Sequence, residues 1–74
     1  MNKARRSKIE KAKTILEEVV QLLEEVKDEE EEAFDNLPEG LQQSERGEQM
    51  EENVDTLGDI IDNIEDAVSN LEDI

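Results

Sequence analysis

The sequence predicts an all-α fold: an antiparallel two-helix hairpin (coiled coil) that dimerises into a four-helix bundle. Three observations predict it. Apolar residues recur every seven positions in both halves, the two-residue alternation of strands never occurs, and the one proline, Pro38, interrupts the pattern near the middle. The 74-residue chain has 23 Asp and Glu against 8 Lys and Arg, so only this periodicity separates it from disordered chains of similar charge. The length allows a single domain.

The first helix is predicted over residues 7–36, behind a basic N-terminal segment over residues 1–6. Ser7 and Glu10 fit a capping box, although Asn2 offers an earlier start. Two interleaved apolar series run through this half in an a/d heptad frame, and Glu30 is the one polar residue in it. The first series is Ile9, Leu16, Leu23 and Leu37; the second is Ala12, Val19, Val26 and Ala33.

A connecting loop is predicted over residues 37–43 and a second helix over residues 44–74. Pro38 ends the first helix near Asn36, Gly40 allows a positive φ, and Ser44 is a natural N-cap. The second helix contains three consecutive heptads, VDTLGDI, IDNIEDA and VSNLEDI, each with three apolar positions. A stripe of that width indicates a helix that faces two neighbours.

Dimerisation is predicted because two helices alone cannot bury about 20 apolar side chains, while small domains need nearly complete burial to be stable. Two hairpins in a four-helix bundle supply the missing contacts. The residues predicted to form the core and the self-association surface are Leu16, Val19, Leu23, Val26, Leu57, Ile60, Ile61, Ile64, Val68 and Leu71.

The composition also excludes most active-site chemistry. The chain has no His and no Cys, so it lacks an imidazole base, a thiolate nucleophile and the usual zinc ligands. Paired carboxylates are abundant, but a hairpin offers no concave site for them. We therefore expect a protein that is not an enzyme and has no cofactor and no metal. No apolar run reaches the length of a membrane span, so we expect no membrane partner.

Charge is distributed very unevenly along the chain. Six of the eight bases lie between residues 3 and 13, whereas residues 14–74 contain 22 acids and two bases. In an antiparallel hairpin the basic start lies beside the acidic end of the second helix, which predicts intramolecular pairing. A basic arm for nucleic acid or anionic lipid and a disordered terminus are the alternatives. An acidic ridge is predicted along the second helix: Glu48, Glu51, Glu52, Asp55, Asp59, Asp62, Asp66 and Asp73.

Parts of the sequence resemble a known group of proteins. The segment DNLPE at residues 35–39, the following Ser44-Glu45-Arg46 and the heptads that end in Leu71-Glu72-Asp73 look like small acidic helical-hairpin proteins of bacteriophages and prophages of Firmicutes. The resemblance covers most of the chain from Ser7 onward. It implies an origin in a mobile element and activity in the bacterial host cytoplasm, where short acidic proteins often inhibit host or defence nucleases. No individual site residue is implied by it.

Two functional hypotheses follow. In the first, the ridge binds a protein partner with a basic, nucleic-acid-binding surface and blocks it as a DNA mimic, without binding nucleic acid itself. In the second, the protein is a structural coiled-coil scaffold or adaptor that recognises a partner helix through its apolar stripe. A solvated charged surface with no partner is the plain alternative for the ridge, and divalent-cation binding is disfavoured because no EF-hand spacing occurs.

Overall fold

The computed structural model describes all residues, 1–74, as a helical hairpin. The helices are α1 (Lys3–Asp35), α2 (Glu39–Gln42) and α3 (Glu45–Glu72). The two long helices α1 and α3 run antiparallel and pack along their length, which gives a rod of 58 × 15 × 12 Å measured on Cα atoms. The predicted all-α class and the paired long helices are therefore confirmed.

Helix α1 begins at Lys3, four residues before the predicted start at Ser7. Its N-cap is Asn2, whose Oδ1 accepts a hydrogen bond of 2.9 Å from the main-chain N–H of Arg5. This bond satisfies one of the free donors at the start of the helix. The basic segment at residues 1–6 is thus mostly helical, and the capping box that starts at Ser7 lies inside the helix.

The predicted loop at residues 37–43 contains the short helix α2. Pro38 precedes it, and the main-chain N–H of Leu41 donates to the Pro38 oxygen at 2.8 Å. The Gln42 amide donates to the main-chain oxygens of Phe34 at 3.2 Å and Leu37 at 3.3 Å, which ties α2 to the end of α1. No residue has a positive φ, so the turn does not use the conformational freedom that Gly40 offers.

Helix α3 begins as predicted, with Ser44 as its N-cap. The Ser44 Oγ accepts a hydrogen bond of 3.3 Å from the Gly47 main-chain N–H and donates to the Leu41 oxygen. The helix ends at Glu72 with Asp73 as its C-cap, two residues before the predicted end. Gly47 lies so close to α2 that a Cβ there would overlap the main-chain oxygen of Gln42.

The contact between α1 and α3, here called the seam, follows a spacing of three and four residues on both helices. On α3 its members are buried or half-buried: Gly47, Met50, Val54, Leu57, Ile61, Ile64, Val68 and Leu71. On α1 and just beyond its end they are half-buried: Ile9, Lys13, Leu16, Val20, Leu23, Lys27, Glu30 and Phe34 of the helix, and Leu37 after it. Only Gly47, Met50 and Ile61 are buried, and no side chain is completely shielded from water, because two helices cover each other on one side only.

Of the two series of α1 residues predicted to face the second helix, the second series differs in the structure. The structure uses Lys13, Val20, Lys27 and Phe34, one residue later than the predicted series Ala12, Val19, Val26 and Ala33. The shift brings in the larger Phe34, and the aliphatic stems of the two lysines can cover apolar surface while their ammonium groups reach carboxylates. Lys27 Cε lies 3.6 Å from the position that a Cβ on Gly58 would take, which is an ordinary contact distance, so the lysine stem packs over this glycine.

Glu30, the polar residue in the predicted frame, lies in the seam with a partner. Its Oε2 accepts a hydrogen bond of 2.9 Å from the Asn53 amide, and both residues are half-buried. The carboxylate is therefore satisfied where it would otherwise weaken the packing. The pair also fixes the level at which α3 stands beside α1.

Candidate interaction surfaces

The seam divides the surface of the hairpin into two long faces of opposite character. The first, here called the acidic face, consists of the residues of α1 and α3 that flank the seam on one side of the hairpin. Its α1 members are Glu17, Gln21, Glu24, Asp28, Glu31 and Asp35; its α3 members are Glu48, Glu51, Asp55, Gly58, Asp62, Glu65, Ser69 and Glu72. Eleven of these 14 positions are acidic, so the face is a nearly continuous array of carboxylates.

Three shallow grooves show that carboxylates of both helices meet on this face. Near the connection, Glu31 and Asp35 line a groove together with Glu51 and Asp55. At the middle, Glu24 and Asp28 face Asp62 and Glu65 across Lys27. Towards the chain ends, Glu17 shares a groove with Glu65 and Asp66. The acidic residues of α1 and α3 thus form one surface and not two separate ridges.

Few positive charges compensate this surface. Lys27 is the only base in its central groove, and its ammonium lies 3.6 Å from Glu31. Lys13 pairs with Glu72 at 3.5 Å and with Glu10 at 3.9 Å near the end of the rod. The other carboxylates have no ion-pair partner within 4 Å, so their charges add to a strong negative potential along the face.

The predicted ridge residues are all exposed, and the structure divides them into two groups. Glu48, Glu51, Asp55 and Asp62 belong to the acidic face, and Asp66 borders it. Glu52, Asp59 and Asp73 share the heptad position of Asp66 on the side of α3 turned away from the seam, and of these four only Asp66 lines a groove with α1.

The predicted set omitted the members that complete the face. The omitted acids are Glu17, Glu24, Asp28, Glu31 and Asp35 of α1, and Glu65 and Glu72 of α3. They follow the same spacing of three and four residues as the ridge. This spacing identifies the acids of α1 as part of the face only when it is known which residues of α1 lie in the seam.

No group of three or more acidic side chains converges closely enough to hold a metal ion. The carboxylates form rows along the rod, and successive carboxylates lie on different turns of their helix. Such rows can attract and orient a large cationic surface through long-range electrostatics.

The second face, here called the outer apolar face, lies on the other side of the seam. Its α1 members are Ala12, Ile15, Val19, Leu22, Val26, Glu29 and Ala33; its α3 members are Asn53, Thr56, Ile60, Asn63, Ala67 and Asn70, and Ile74 just beyond the helix continues that row. Val26 shares a groove with Asn53 and Thr56, which places both rows on the same side. Leu22 is 62% exposed and Ile15 is 50% exposed, so large apolar side chains stand in water here.

The structure therefore separates the residues predicted for the core and self-association. Seven of them form the seam: Leu16, Leu23, Leu57, Ile61, Ile64, Val68 and Leu71. The other three, Val19, Val26 and Ile60, lie on the outer apolar face, where Val26 is 47% exposed and Ile60 is 40% exposed, whereas Val19, next to the seam residue Val20, is half-buried.

The basic start of α1 meets the end of α3, as predicted, through two residues. Lys13 pairs with Glu72 at 3.5 Å, and the Arg6 guanidinium donates to the main-chain oxygen of Ile74 at 3.2 Å. The remaining bases of this segment have no ion-pair partner within 4 Å: Lys3, Arg5, Lys8 and Lys11. The fold-back thus leaves most of the basic charge exposed at one end of the rod.

Comparison with known proteins adds no assignment, since no family model, no curated protein and no solved structure matches the chain. None of the helices combines the length and the apolar character needed to cross a membrane. The class that fold and surface define is a small helical hairpin with one acidic and one apolar face.

Proposed function

We propose that this protein is a non-enzymatic acidic interaction protein that binds and blocks a basic nucleic-acid-binding surface of a host or defence protein. It would act as a DNA-mimic inhibitor of the anti-CRISPR or anti-restriction type. The observation that carries the proposal is the acidic face, on which both helices contribute carboxylates at eleven of 14 positions and only Lys27 compensates them at the centre.

Charge density supports this choice of partner. The 22 acids beyond residue 13 are spread over a rod 58 Å long, and duplex DNA carries one charge per about 1.7 Å of its axis. The two densities differ by less than a factor of two. A protein channel lined by Lys and Arg to hold a phosphate backbone therefore offers complementary charge to this face. Like charges repel, so the protein itself does not bind nucleic acid.

The proposal includes an oligomeric state and a setting. The protein acts as a homodimer, in which two hairpins form a four-helix bundle. It originates from a phage or prophage and works in the bacterial host cytoplasm, as the resemblance of its connecting segment implies. Dimerisation doubles the net charge of -15 carried by one copy, which presents an even stronger field to the basic partner.

The test starts with affinity capture from a bacterial host lysate at low and at high salt. We expect capture of a nucleic-acid-binding enzyme that is released by salt and displaced by duplex DNA, because screening and competition both act on an electrostatic contact. The captured enzyme is then purified and its affinity is measured with two triple variants.

The first variant, Glu24→Gln, Asp28→Asn and Asp62→Asn, removes three charges from the central groove of the acidic face. The matched control, Glu18→Gln, Glu25→Gln and Glu32→Gln, removes three charges from exposed positions of α1 that point away from α3. We expect at least tenfold weaker binding for the first and a loss below threefold for the control. Equal effects of the two variants, or no effect of the first, contradict the proposal.

A second candidate function is favoured by the exposed outer apolar face. A scaffold or adaptor would use it to dock a partner helix, and its binding would resist salt. In that case Leu22→Glu abolishes capture, whereas the triple variant of the acidic face has no effect.

A further inference from the structure

We propose that the outer apolar face binds a second copy of this chain in antiparallel orientation, with the two-fold axis at the level of Leu22 and Asn63. The inference deepens the dimer included in the proposed function, and it rests on that dimer and not on the identity of the basic partner.

The character of the face indicates a buried surface. Between Ala12 and Ala33 on α1 and between Asn53 and Ile74 beside it, only one of the 14 positions, Glu29, is charged, in a chain in which 42% of residues are charged; the α1 row continues into Lys8 towards the start of the helix. Its members follow the spacing of three and four residues that a coiled-coil seam requires on both helices. A row of uncharged, partly apolar side chains gives no advantage on a surface that stays in contact with water. The acidic face, which is rich in carboxylates, shows the composition that this chain has on a solvated surface.

The dimensions of the face match a stable interface between two proteins. The hairpin is 58 Å long and 15 Å wide on Cα atoms. A standard interface buries about 800 Å² on each partner, which is close to the area of one such face. Within one copy only Met50 and Ile61 are buried apolar side chains, so a second copy supplies core that the single hairpin lacks.

Four members of the α1 row form matched pairs about its centre, which favours a second copy as the partner, whereas Ile15 would lie against Glu29 of that copy. Val19 and Val26 are equally distant from the midpoint between residues 22 and 23, and so are Ala12 and Ala33. A two-fold axis at this level brings Val19 against Val26 of the second copy, and Ala12 against its Ala33. Small side chains then meet small ones, and Leu22 meets its own copy at the axis.

The α3 row has its centre of symmetry at the same height. Lys13 contacts Glu72 and Glu30 contacts Asn53, and these two levels place Leu22 beside residues 62 and 63. Thr56 and Asn70 are equally distant from Asn63 in sequence. Asn63 therefore meets its own copy at the axis, where one amide can donate to the other, as buried asparagines do when they set register.

Charge favours the antiparallel orientation over the parallel one. The half of the rod at the chain ends, residues 1–20 and 65–74, has six bases and seven acids, a net of -1. The other half, residues 21–64, has two bases and 16 acids, a net of -14. An antiparallel pair places each strongly acidic half against a nearly neutral one. The unpaired Lys8 and Lys11 then lie over the acidic end of the second copy's α1.

The first experiment measures the dimer by sedimentation equilibrium with two neighbouring substitutions. Leu22→Glu adds a negative charge on the outer apolar face, and Gln21→Glu adds the same charge on the acidic face. We expect the unchanged chain and Gln21→Glu to dimerise, and Leu22→Glu to dimerise at least about 100-fold more weakly, since each dimer loses two leucines at its axis. Circular dichroism checks that both variants remain helical.

The second experiment determines orientation by disulfide cross-linking, which has no background because the chain has no Cys. In the antiparallel dimer Leu22→Cys cross-links to itself, and so does Asn63→Cys, because each residue lies beside its own copy. In a parallel dimer Leu22 lies opposite Asn63 of the second copy, so only a mixture of the two variants cross-links. We expect cross-linking within each single variant.

Three outcomes overturn the inference: a monomeric unchanged chain at millimolar concentration, equal dimerisation of Leu22→Glu and Gln21→Glu, or cross-linking in the mixture alone. Both experiments use the purified chain without a partner. If no basic enzyme is captured in the test of the proposed function, the sedimentation and cross-linking results are unaffected. If the chain does not dimerise, these two experiments show it even when the acidic face still captures a basic enzyme.

Discussion

Replacement of glycine by alanine at two positions of α3 should have opposite effects on stability. Gly47 and Gly58 both lie inside the helix, where alanine is favoured over glycine by about 1 kcal/mol. At Gly58 a Cβ would lie 3.6 Å from Lys27 Cε, an ordinary contact with a flexible side chain. At Gly47 a Cβ would overlap the main-chain oxygen of Gln42 and lie 2.7 Å from that of Leu41.

The magnitudes follow from these neighbours. Gly58→Ala keeps most of the helical gain, so we expect it to raise the free energy of unfolding by about 0.5 to 1 kcal/mol. Gly47→Ala must displace the backbone of α2, and overpacking of this kind costs about 1 to 3 kcal/mol. Because α2 is tied to α1 through Gln42, the displacement cannot be absorbed by a free loop.

Thermal unfolding followed by circular dichroism at one protein concentration measures both changes. A change of 1 kcal/mol shifts the Tm of a domain this small by roughly 4 to 8 °C. We expect Gly58→Ala to raise the Tm and Gly47→Ala to lower it, with Gly40→Ala as a control at an open position. Equal stability of the Gly47→Ala and Gly58→Ala proteins would refute the close approach of α3 to α2.

Three further predictions concern the seam, the cap and the ion pair. Ile61→Ala should lower the free energy of unfolding by about 2 to 4 kcal/mol in urea titrations, because Ile61 is only 5% exposed, whereas Leu41→Ala at a 51% exposed position should change it by less than 1 kcal/mol. Ser44→Ala should cost about 1 kcal/mol through loss of the N-cap bond, and Ser44→Asp should restore the Tm. Glu72→Gln removes a half-exposed ion pair with Lys13, so the Tm should fall by no more than a few degrees and the difference should vanish in 1 M salt.

The heptad repeat was sufficient to predict the two long helices and their pairing. Repeats such as IDNIEDA predict an amphipathic helix, and Pro38 predicts that the first helix ends just before it. Ser44 was identified as the N-cap because its type and position are both diagnostic. Asn2 has the same capping chemistry, but Ser7 and Glu10 offered a competing start, and only the structure shows that α1 begins at Lys3.

The acidic face was only partly predictable, because its two rows come from different helices. The α3 row follows from the spacing of Asp55 and Asp62 relative to the apolar stripe. The α1 row depends on which column of α1 faces α3. Two neighbouring columns were available, and the apolar series with Val19 and Val26 is the more hydrophobic by composition alone.

By itself, the sequence determined that this chain forms two amphipathic helices, where they are joined, and how strongly acidic they are, because those properties depend on local residue type and period. Only the tertiary structure decided that Lys13, Val20, Lys27 and Phe34 face α3. The physical reason is that the choice depends on the fit of long lysine stems against particular residues of the other helix, such as Gly58. That shift by one residue gathers the carboxylates on one face and leaves Ile15, Val19, Leu22 and Val26 on the other.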